Sequence, residues 1–174
     1  MDSYLQRADG SGISYDDEEY FESGIDENLR LYAQWEKEFT HEIDKYSVDE
    51  TNKYIDLIEV NTTVEDFKTN ITLGEGYTVN VDSKEINGKK VMYTGGKTKI
   101  YYGDTLYMEY TNIVRGDANG DGVMDIFDYI RIMKDIMEET FLSGIYKIGA
   151  DVTKDNMVDI FDYIRIMKKI MEEN

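Results

Sequence analysis

Regularly spaced oxygen-bearing side chains in the last third of this chain have the chemistry of a calcium-binding loop. Calcium takes about 6–8 oxygen ligands, which a loop of roughly 12 residues supplies from positions 1, 3, 5, 7, 9 and 12, with glycine at position 6. With Asp117 at position 1, Gly122 falls at position 6. The predicted ligands, with a backbone carbonyl at position 7, are Asp117, Asn119, Asp121, Val123, Asp125 and Asp128.

A second loop repeats this spacing with poorer chemistry. Position 3 carries the neutral hydroxyl of Thr153, and position 6 carries Asn156, which accepts left-handed backbone less readily than glycine. We therefore predict a second calcium ion that binds more weakly than the first. Its predicted ligands, again with a carbonyl at position 7, are Asp151, Thr153, Asp155, Met157, Asp159 and Asp162.

Each loop leads into a segment that is repeated almost letter for letter. Residues 125–139 return as residues 159–173, and only Asp135 differs, with Lys169 in its place. On a helical wheel the apolar side chains form one broad stripe, and Phe127 falls outside it on the polar side. The residues predicted to pack between the two helices are Tyr129, Ile132, Ile136, Tyr163, Ile166 and Ile170.

The composition excludes several classes of function. With 37 acidic and 19 basic residues the net charge is −18, which argues against nucleic-acid binding. There is no cysteine, hence no disulfide framework or thiolate metal site. No apolar run approaches the roughly 20 residues that span a bilayer. The first 30 residues are polar and acidic rather than a signal peptide, so we expect either an intracellular protein or a piece of a longer secreted chain.

Two further segments precede the loops. In residues 1–39, a turn at residues 9–12 and an acidic stretch at residues 16–19 precede an alternating strand, Leu29–Trp35. Residues 41–113 indicate an α+β module. It has a helix whose capping box pairs Thr62 with Glu65, and several strands with an Asn-Gly hairpin turn at residues 87–88.

The segment that enters the first loop, residues 106–114, is β-branched and aromatic and predicts a strand. An EF-hand has a helix there, so the first unit is a loop with an exiting helix only. A calcium sensor would need entering helices and a groove that opens, which this lead-in argues against.

Catalysis finds no support in the sequence. His41 is the only histidine, no cysteine nucleophile or phosphate-binding loop exists, and the paired carboxylates belong to the calcium loops. A carbohydrate- or surface-binding module, with Trp35 and the 15 tyrosines as stacking platforms, remains an alternative, although Trp35 falls on the apolar face of its strand.

Residues 116–174 resemble a dockerin, on the motif Gly116-Asp-Ala-Asn-Gly-Asp-Gly122, the paired loops and the two matched helices. The family docks onto cohesin domains of scaffold proteins. The resemblance implies an all-α module built from two loop–helix repeats, with two structural calcium ions. The chain departs from the commonest dockerins at Thr153 and Asn156, and where apolar pairs replace small polar recognition residues.

By position, the resemblance implies partner contacts at the start and along one face of each helix. They are Ile126, Phe127, Ile130, Met133, Lys134 and Met137, and in the second copy Ile160, Phe161, Ile164, Met167, Lys168 and Met171. Because the copies match, one partner could be bound in two orientations related by about 180°. Burial of Phe127 against the preceding module is the alternative.

Two weaker resemblances complete the prediction. The motif in residues 8–35, ending in Leu31-Tyr-Ala-Gln-Trp35, resembles the C-terminal half of an internalin-type B repeat, and residues 41–113 resemble the X-type modules that precede dockerins. The predicted domains are residues 1–39, 41–113 (a spacer) and 114–174. We predict a non-enzymatic, monomeric adaptor from a secreted bacterial protein, without membrane insertion.

Overall fold

The computed structural model describes residues 4–6, 32–34 and 45–172. The chain divides into two compact units, residues 1–39 and 40–174, which are described separately. In the first unit, strand β1 (Tyr4–Gln6) pairs antiparallel with strand β2 (Tyr32–Gln34). Strand β2 lies within the strand predicted at residues 29–35. The predicted turn at residues 9–12, the acidic stretch at residues 16–19, Trp35 and His41 lie outside the described residues.

The second unit combines one five-stranded sheet, a separate hairpin and four helices within the described residues. Its strands are β3 (Ser47–Asp49), β4 (Tyr54–Glu59), β5 (Tyr77–Val81), β6 (Lys84–Ile86), β7 (Lys89–Val91), β8 (Lys97–Tyr102) and β9 (Thr105–Arg115). Its helices are α1 (Val64–Thr69), α2 (Ile126–Ile136), α3 (Gly144–Ala150) and α4 (Ile160–Glu172). The fold is therefore mixed α and β.

The sheet has the strand order β3-β4-β9-β8-β5, with β9 in the centre. Strands β4 and β9 are parallel, and the other neighbours are antiparallel. Ile113 and Val114 are both fully buried although consecutive strand residues point to opposite faces, so the sheet is covered on both sides at this point. The predicted strand before the first loop is confirmed, since β9 runs directly into it.

Of two local features predicted from the sequence, the hairpin turn is confirmed and the helix cap lies one residue further along the chain. Asn87 and Gly88 both have positive φ, 50° and 73°, as the predicted hairpin turn between β6 and β7 requires. The predicted capping box at Thr62 and Glu65 is wrong, because Thr63 caps α1 together with Asp66. Thr62 is buried instead, and its carbonyl accepts a hydrogen bond from Met92 N–H at 2.9 Å.

The C-terminal part has its own hydrophobic core between α2, α4 and the loops. The buried members are Ala118, Met124, Ile132, Leu142, Ala150, Val152 and Ile166. Ile132 and Ile166 are fully buried as predicted, and Tyr129, Tyr163 and Ile170 are half-buried against them. The prediction for Ile136 is wrong: it ends α2, and its side chain is exposed.

This part contains the two predicted loop–helix units and one helix more than the sequence predicted. Helix α3 (Gly144–Ala150) precedes the second loop, and it packs against β9. The second loop is therefore flanked by helices on both sides, whereas a strand enters the first. Within the described residues, no helix has the length and apolar character needed to cross a membrane.

Candidate metal and partner-binding sites

Asp117 organises the first loop from a fully buried position. Its Oδ1 accepts hydrogen bonds from the backbone N–H of Gly120 at 2.7 Å and of Asp121 at 3.0 Å. Its Oδ2 accepts from Gly122 N–H at 3.1 Å and from Thr94 N–H at 2.8 Å. The first three bonds wrap the loop around one carboxylate, and the fourth ties that carboxylate to the β7–β8 connection.

Asp128 closes the same loop from the first turn of α2. Its side chain accepts from Asn119 N–H at 3.0 Å and from Asp125 N–H at 2.9 Å. Asp125 is the N-cap of α2, and its carboxylate accepts from Phe127 N–H at 2.8 Å. The predicted position-9 and position-12 ligands therefore also form the capping box that begins the helix.

The second loop reproduces this network with its own residues. Asp151 accepts from the N–H groups of Lys154, Asp155 and Asn156 at 2.7, 3.2 and 3.0 Å. Asp162 accepts from Thr153 N–H at 2.9 Å and from Asp159 N–H at 3.0 Å. The two loops therefore share one backbone conformation, despite threonine at position 3 and asparagine at position 6.

Electrostatics favour a cation in the first loop. Burial raises the pKa of Asp117, and burial together with the nearby charges of Asp117 and Asp121 raises the pKa of Asp128 to about 7. Among the described residues no lysine or arginine side chain forms an ion pair with a carboxylate of this loop. A hard divalent ion would offset this cost, so the chemistry of the donor set fits calcium.

Over the part of the chain that the structure describes, no group of three or more acidic or histidine side chains forms a metal cluster. The oxygens point to backbone N–H groups instead. The two calcium ions, and the predicted weaker binding at the second loop, therefore stay predictions.

The surroundings of the two loops differ. Gly120 has φ of 80°, and a Cβ atom there would lie 2.8 Å from the carbonyl oxygen of Thr94. A Cβ on Gly122 would lie within 3.4 Å of side-chain atoms of Tyr93 and Ile86. The residues at the same positions of the second loop, Lys154 and Asn156, are exposed. The first loop is thus packed against the preceding strands, while the second faces solvent.

Arg115, the last residue of β9, connects the sheet to the second loop. Its Nε donates to Asp56 Oδ1 at 2.8 Å, and its Nη2 pairs with the other oxygen of the same carboxylate. Its Nη1 donates to Ile148 O at 2.8 Å and lies 3.3 Å from Asp151 Oδ2. One guanidinium therefore joins strand β4, helix α3 and the first predicted ligand of the second loop.

The predicted partner residues fall into matched pairs of similar exposure. Phe127 is 64% exposed and Phe161 is 65% exposed, so Phe127 is not buried against the preceding module. The other exposed members are Ile126, Lys134, Met137, Ile160, Lys168 and Met171. The half-buried members are Ile130, Met133, Ile164 and Met167.

Equivalent residues of the two copies meet between the helices. The rings of Tyr129 and Tyr163 have centroids 4.4 Å apart, and their hydroxyls are hydrogen-bonded to each other. A residue can contact its own counterpart only near an axis that relates the two copies. Equivalent points of α2 and α4 are therefore in contact at this tyrosine pair.

Three residues that the sequence did not single out belong to these sites: Thr94, Arg115 and Phe141. Thr94 and Arg115 act across long sequence separations that no local pattern reveals. The sequence could have indicated Phe141, because it is a large aromatic residue in the short connection that follows α2. It is 79% exposed and lies beside Phe127 in a surface cavity.

Comparison with known families identifies one part of the chain. Residues 115–171 match the family model described as the dockerin type I domain. Dockerins of this type are non-catalytic modules that bind cohesins and generally bind calcium. Comparisons with curated proteins and with solved structures gave no match. The dockerin resemblance is thus confirmed at family level, whereas those to an internalin-type repeat and an X-type module are not.

Proposed function

We propose that this chain is a calcium-dependent adaptor, whose dockerin domain at residues 114–174 binds a cohesin of a scaffold or cell-surface protein. The observation that carries the proposal is the shared hydrogen-bond network of the two loops, in which the predicted ligands also begin α2 and α4. The family match at residues 115–171 supports it. We further propose that the chain is a secreted bacterial protein or a piece of one, and that it is non-catalytic and monomeric when unbound.

Calcium, when bound, would neutralise the clustered carboxylates of each loop. Hydrogen bonds from the helix starts to the loop carboxylates then connect each loop to its helix. Asp125 caps α2 through Phe127 N–H, and Asp159 accepts from Phe161 N–H at the start of α4, both at 2.8 Å. The loop that would hold the ion thus also positions the exposed phenylalanine in the first turn of the helix that follows it.

The matched outer residues support binding in two orientations. Phe127 and Phe161 have nearly equal exposure, and the Tyr129–Tyr163 contact lies where a pseudo-two-fold axis would pass. A partner that recognises Phe127, Ile130 and Lys134 would find Phe161, Ile164 and Lys168 after a half-turn. Aromatic and methionine side chains at the centre of such a patch are typical of protein interfaces.

Residues 41–113 serve in this proposal as a rigid support. Thr94 donates to Asp117, and Arg115 bridges Asp56 and Asp151, so both loops are fastened to the sheet. A rigid connection of this kind would fix the direction in which the dockerin presents its helices. No residue of this module needs to contact the partner.

The decisive experiment is titration of the full chain against a panel of cohesin domains, in calcium and in excess chelator. We expect at least one cohesin to bind in calcium, and we expect chelator to abolish that binding because the loop carboxylates then repel one another. Binding to no cohesin, or binding that chelator leaves intact, would overturn the proposal.

Substitution of the two phenylalanines tests the two orientations. Phe127→Ala and Phe161→Ala should each leave measurable affinity, and the double variant should lose it. Tyr102→Ala is a matched control, because it removes another exposed aromatic side chain, on β8, and should leave the affinity unchanged. Complete loss with either single variant would show that only one orientation is used.

A further inference from the structure

A groove lies on the first copy of the repeat, between α2 and the segment that follows it. Its volume is about 300 Å³, and we call it the α2 groove. Its lining includes Phe127, Ile130, Arg131, Lys134, Phe141 and Leu142. Three of these residues belong to the predicted partner set, so the α2 groove is continuous with the surface proposed above.

The segment after α2 folds back onto the helix to form the wall of the groove. Glu138 has φ of 59°, and the N–H groups of Glu139 and Thr140 both donate to Lys134 O, at 2.9 and 3.3 Å. Asp135 Oδ1 then accepts from Leu142 N–H at 2.5 Å. Leu142 is buried, and this bond fixes the backbone next to Phe141, whose exposed side chain lines the groove.

Asp135 is also the one residue that differs between the repeated segments. Its counterpart, Lys169, has an ammonium group that donates hydrogen bonds and accepts none. Helix α2 ends at Ile136, whereas α4 continues to Glu172, so Met171 and Glu172, which match Met137 and Glu138, are helical. The second copy therefore lacks the acceptor, and it is helical at Glu172, the position that matches Glu138 in the turn of the α2 groove.

The charge of the α2 groove indicates what it binds. In a chain of net charge −18, its lining carries two cationic residues and no acidic one. Arg131 is held over the ring of Tyr146, 5.4 Å from the centroid, and Lys134 is exposed. The volume is at the lower limit of the roughly 300–1,000 Å³ typical of small-molecule sites, so a protruding side chain fits it better than a larger ligand.

We propose that the α2 groove receives an apolar side chain of the cohesin partner that lies next to a carboxylate, and that the partner therefore prefers the first-copy face. The apolar group packs between Phe127 and Phe141, and the carboxylate pairs with Lys134 or Arg131. This inference rests on the proposed cohesin binding. It adds that the two orientations are unequal, because only one of them uses Phe141.

The test measures affinity for a cohesin that the unchanged chain binds, in two backgrounds. Phe161→Ala leaves the first face intact, and Phe127→Ala leaves the second. We expect Phe141→Ala to weaken binding about tenfold in the first background and less than about twofold in the other. We also expect Phe127→Ala alone to weaken binding more than Phe161→Ala alone.

A charge exchange at the differing position provides a matched control. Asp135→Lys gives the first copy the residue of the second and should weaken binding in the Phe161→Ala background. Lys169→Asp should leave that binding unchanged. Thermal unfolding establishes that each variant is folded, which we expect for Phe141→Ala because its ring is exposed.

Equal effects of Phe141→Ala in the two backgrounds, or no effect in either, would overturn the preference for the first face. The unchanged chain would still bind cohesin in those cases, so the proposed function would stand. Failure of the unchanged chain to bind any cohesin would overturn both.

Discussion

The first and second loops share a hydrogen-bond network but differ in the residues that occupy its left-handed positions. Gly120 and Gly122 have φ of 80° and 87°, and Lys154 and Asn156 adopt 66° and 69° at the same places. The backbone of the loop therefore does not by itself demand glycine. At Gly120 the carbonyl oxygen of Thr94 leaves no room for a Cβ atom, and at Gly122 the side chains of Tyr93 and Ile86 leave little.

This difference changes how the second loop should be interpreted. From sequence, Asn156 indicates a compromised metal site, yet it forms the same turn, and its N–H donates to Asp151. Thr153 also keeps its place, with its hydroxyl 3.0 Å from Asp162 Oδ1. The physical contrast lies in the surroundings, because one loop is packed against a sheet and the other faces solvent.

The substitution with the largest expected effect on stability removes the first predicted ligand of each loop. Asp117→Ala leaves the backbone N–H groups of Thr94, Gly120 and Gly122 without an acceptor, and all three residues are buried. We expect it to lower the free energy of unfolding by about 4 kcal/mol at saturating calcium, measured by urea denaturation.

The matched change, Asp151→Ala, should cost about half as much, because the donors of its loop belong to exposed residues that water can satisfy and Arg115 keeps its ion pair with Asp56. Equal costs for the two variants would contradict the contrast between a packed and a solvated loop.

A second test removes the Arg115 guanidinium, which connects the sheet to the second loop. Arg115→Met leaves Asp56 and Asp151 without their shared cation, although both are largely buried. We expect a loss of about 3 kcal/mol in thermal or urea unfolding, near the lower limit for breaking a buried ion pair.

Lys53→Met is the control for this change, since Lys53 and Glu50 form an exposed ion pair at 2.8 Å. It should cost less than about 1 kcal/mol. A similar cost for both variants would mean that Arg115 is an ordinary surface residue.

The substitution with the smallest expected effect places alanine at position 4 of each loop. Gly120→Ala places a Cβ 2.8 Å from Thr94 O at positive φ, and we expect a cost of about 2 kcal/mol in urea unfolding. Lys154→Ala keeps a side chain that already adopts this conformation in solvent, and it should change stability by less than about 0.5 kcal/mol. A tolerated Gly120→Ala would show that the sheet does not restrict the first loop.

Features encoded locally could be predicted from sequence. The spacing of acidic residues places both loops and the starts of α2 and α4, because each carboxylate bonds to backbone within nine residues of it. The β-branched and aromatic run predicts β9, and Asn87-Gly88 predicts the hairpin turn. The burial of Ile132 and Ile166 follows from the helical period of their segments.

Features that depend on packing between distant parts of the chain could not be predicted from the sequence. Helix α3 contains two glycines, which disfavour helix in isolation, but a Cβ on Gly149 would lie 3.2 Å from the carbonyl oxygens of Val114 and Asp117. Tight packing, not propensity, determines that residue. Thr62 matches the capping pattern better than Thr63, yet its contact with Met92 places it in a turn before the helix. The contacts of Thr94 and Arg115 depend on the fold as a whole.

The central position of β9 has a consequence for the order of folding. Tyr54 of β4 pairs with Thr111 of β9, so the chain must close a long loop before this parallel pair can form, and such closures slow folding. In the second loop, Asp151 and Asp162 accept hydrogen bonds from backbone N–H groups that lie within the same loop. We therefore expect the solvated loop to form early, and the packed loop to be completed only when the sheet has assembled.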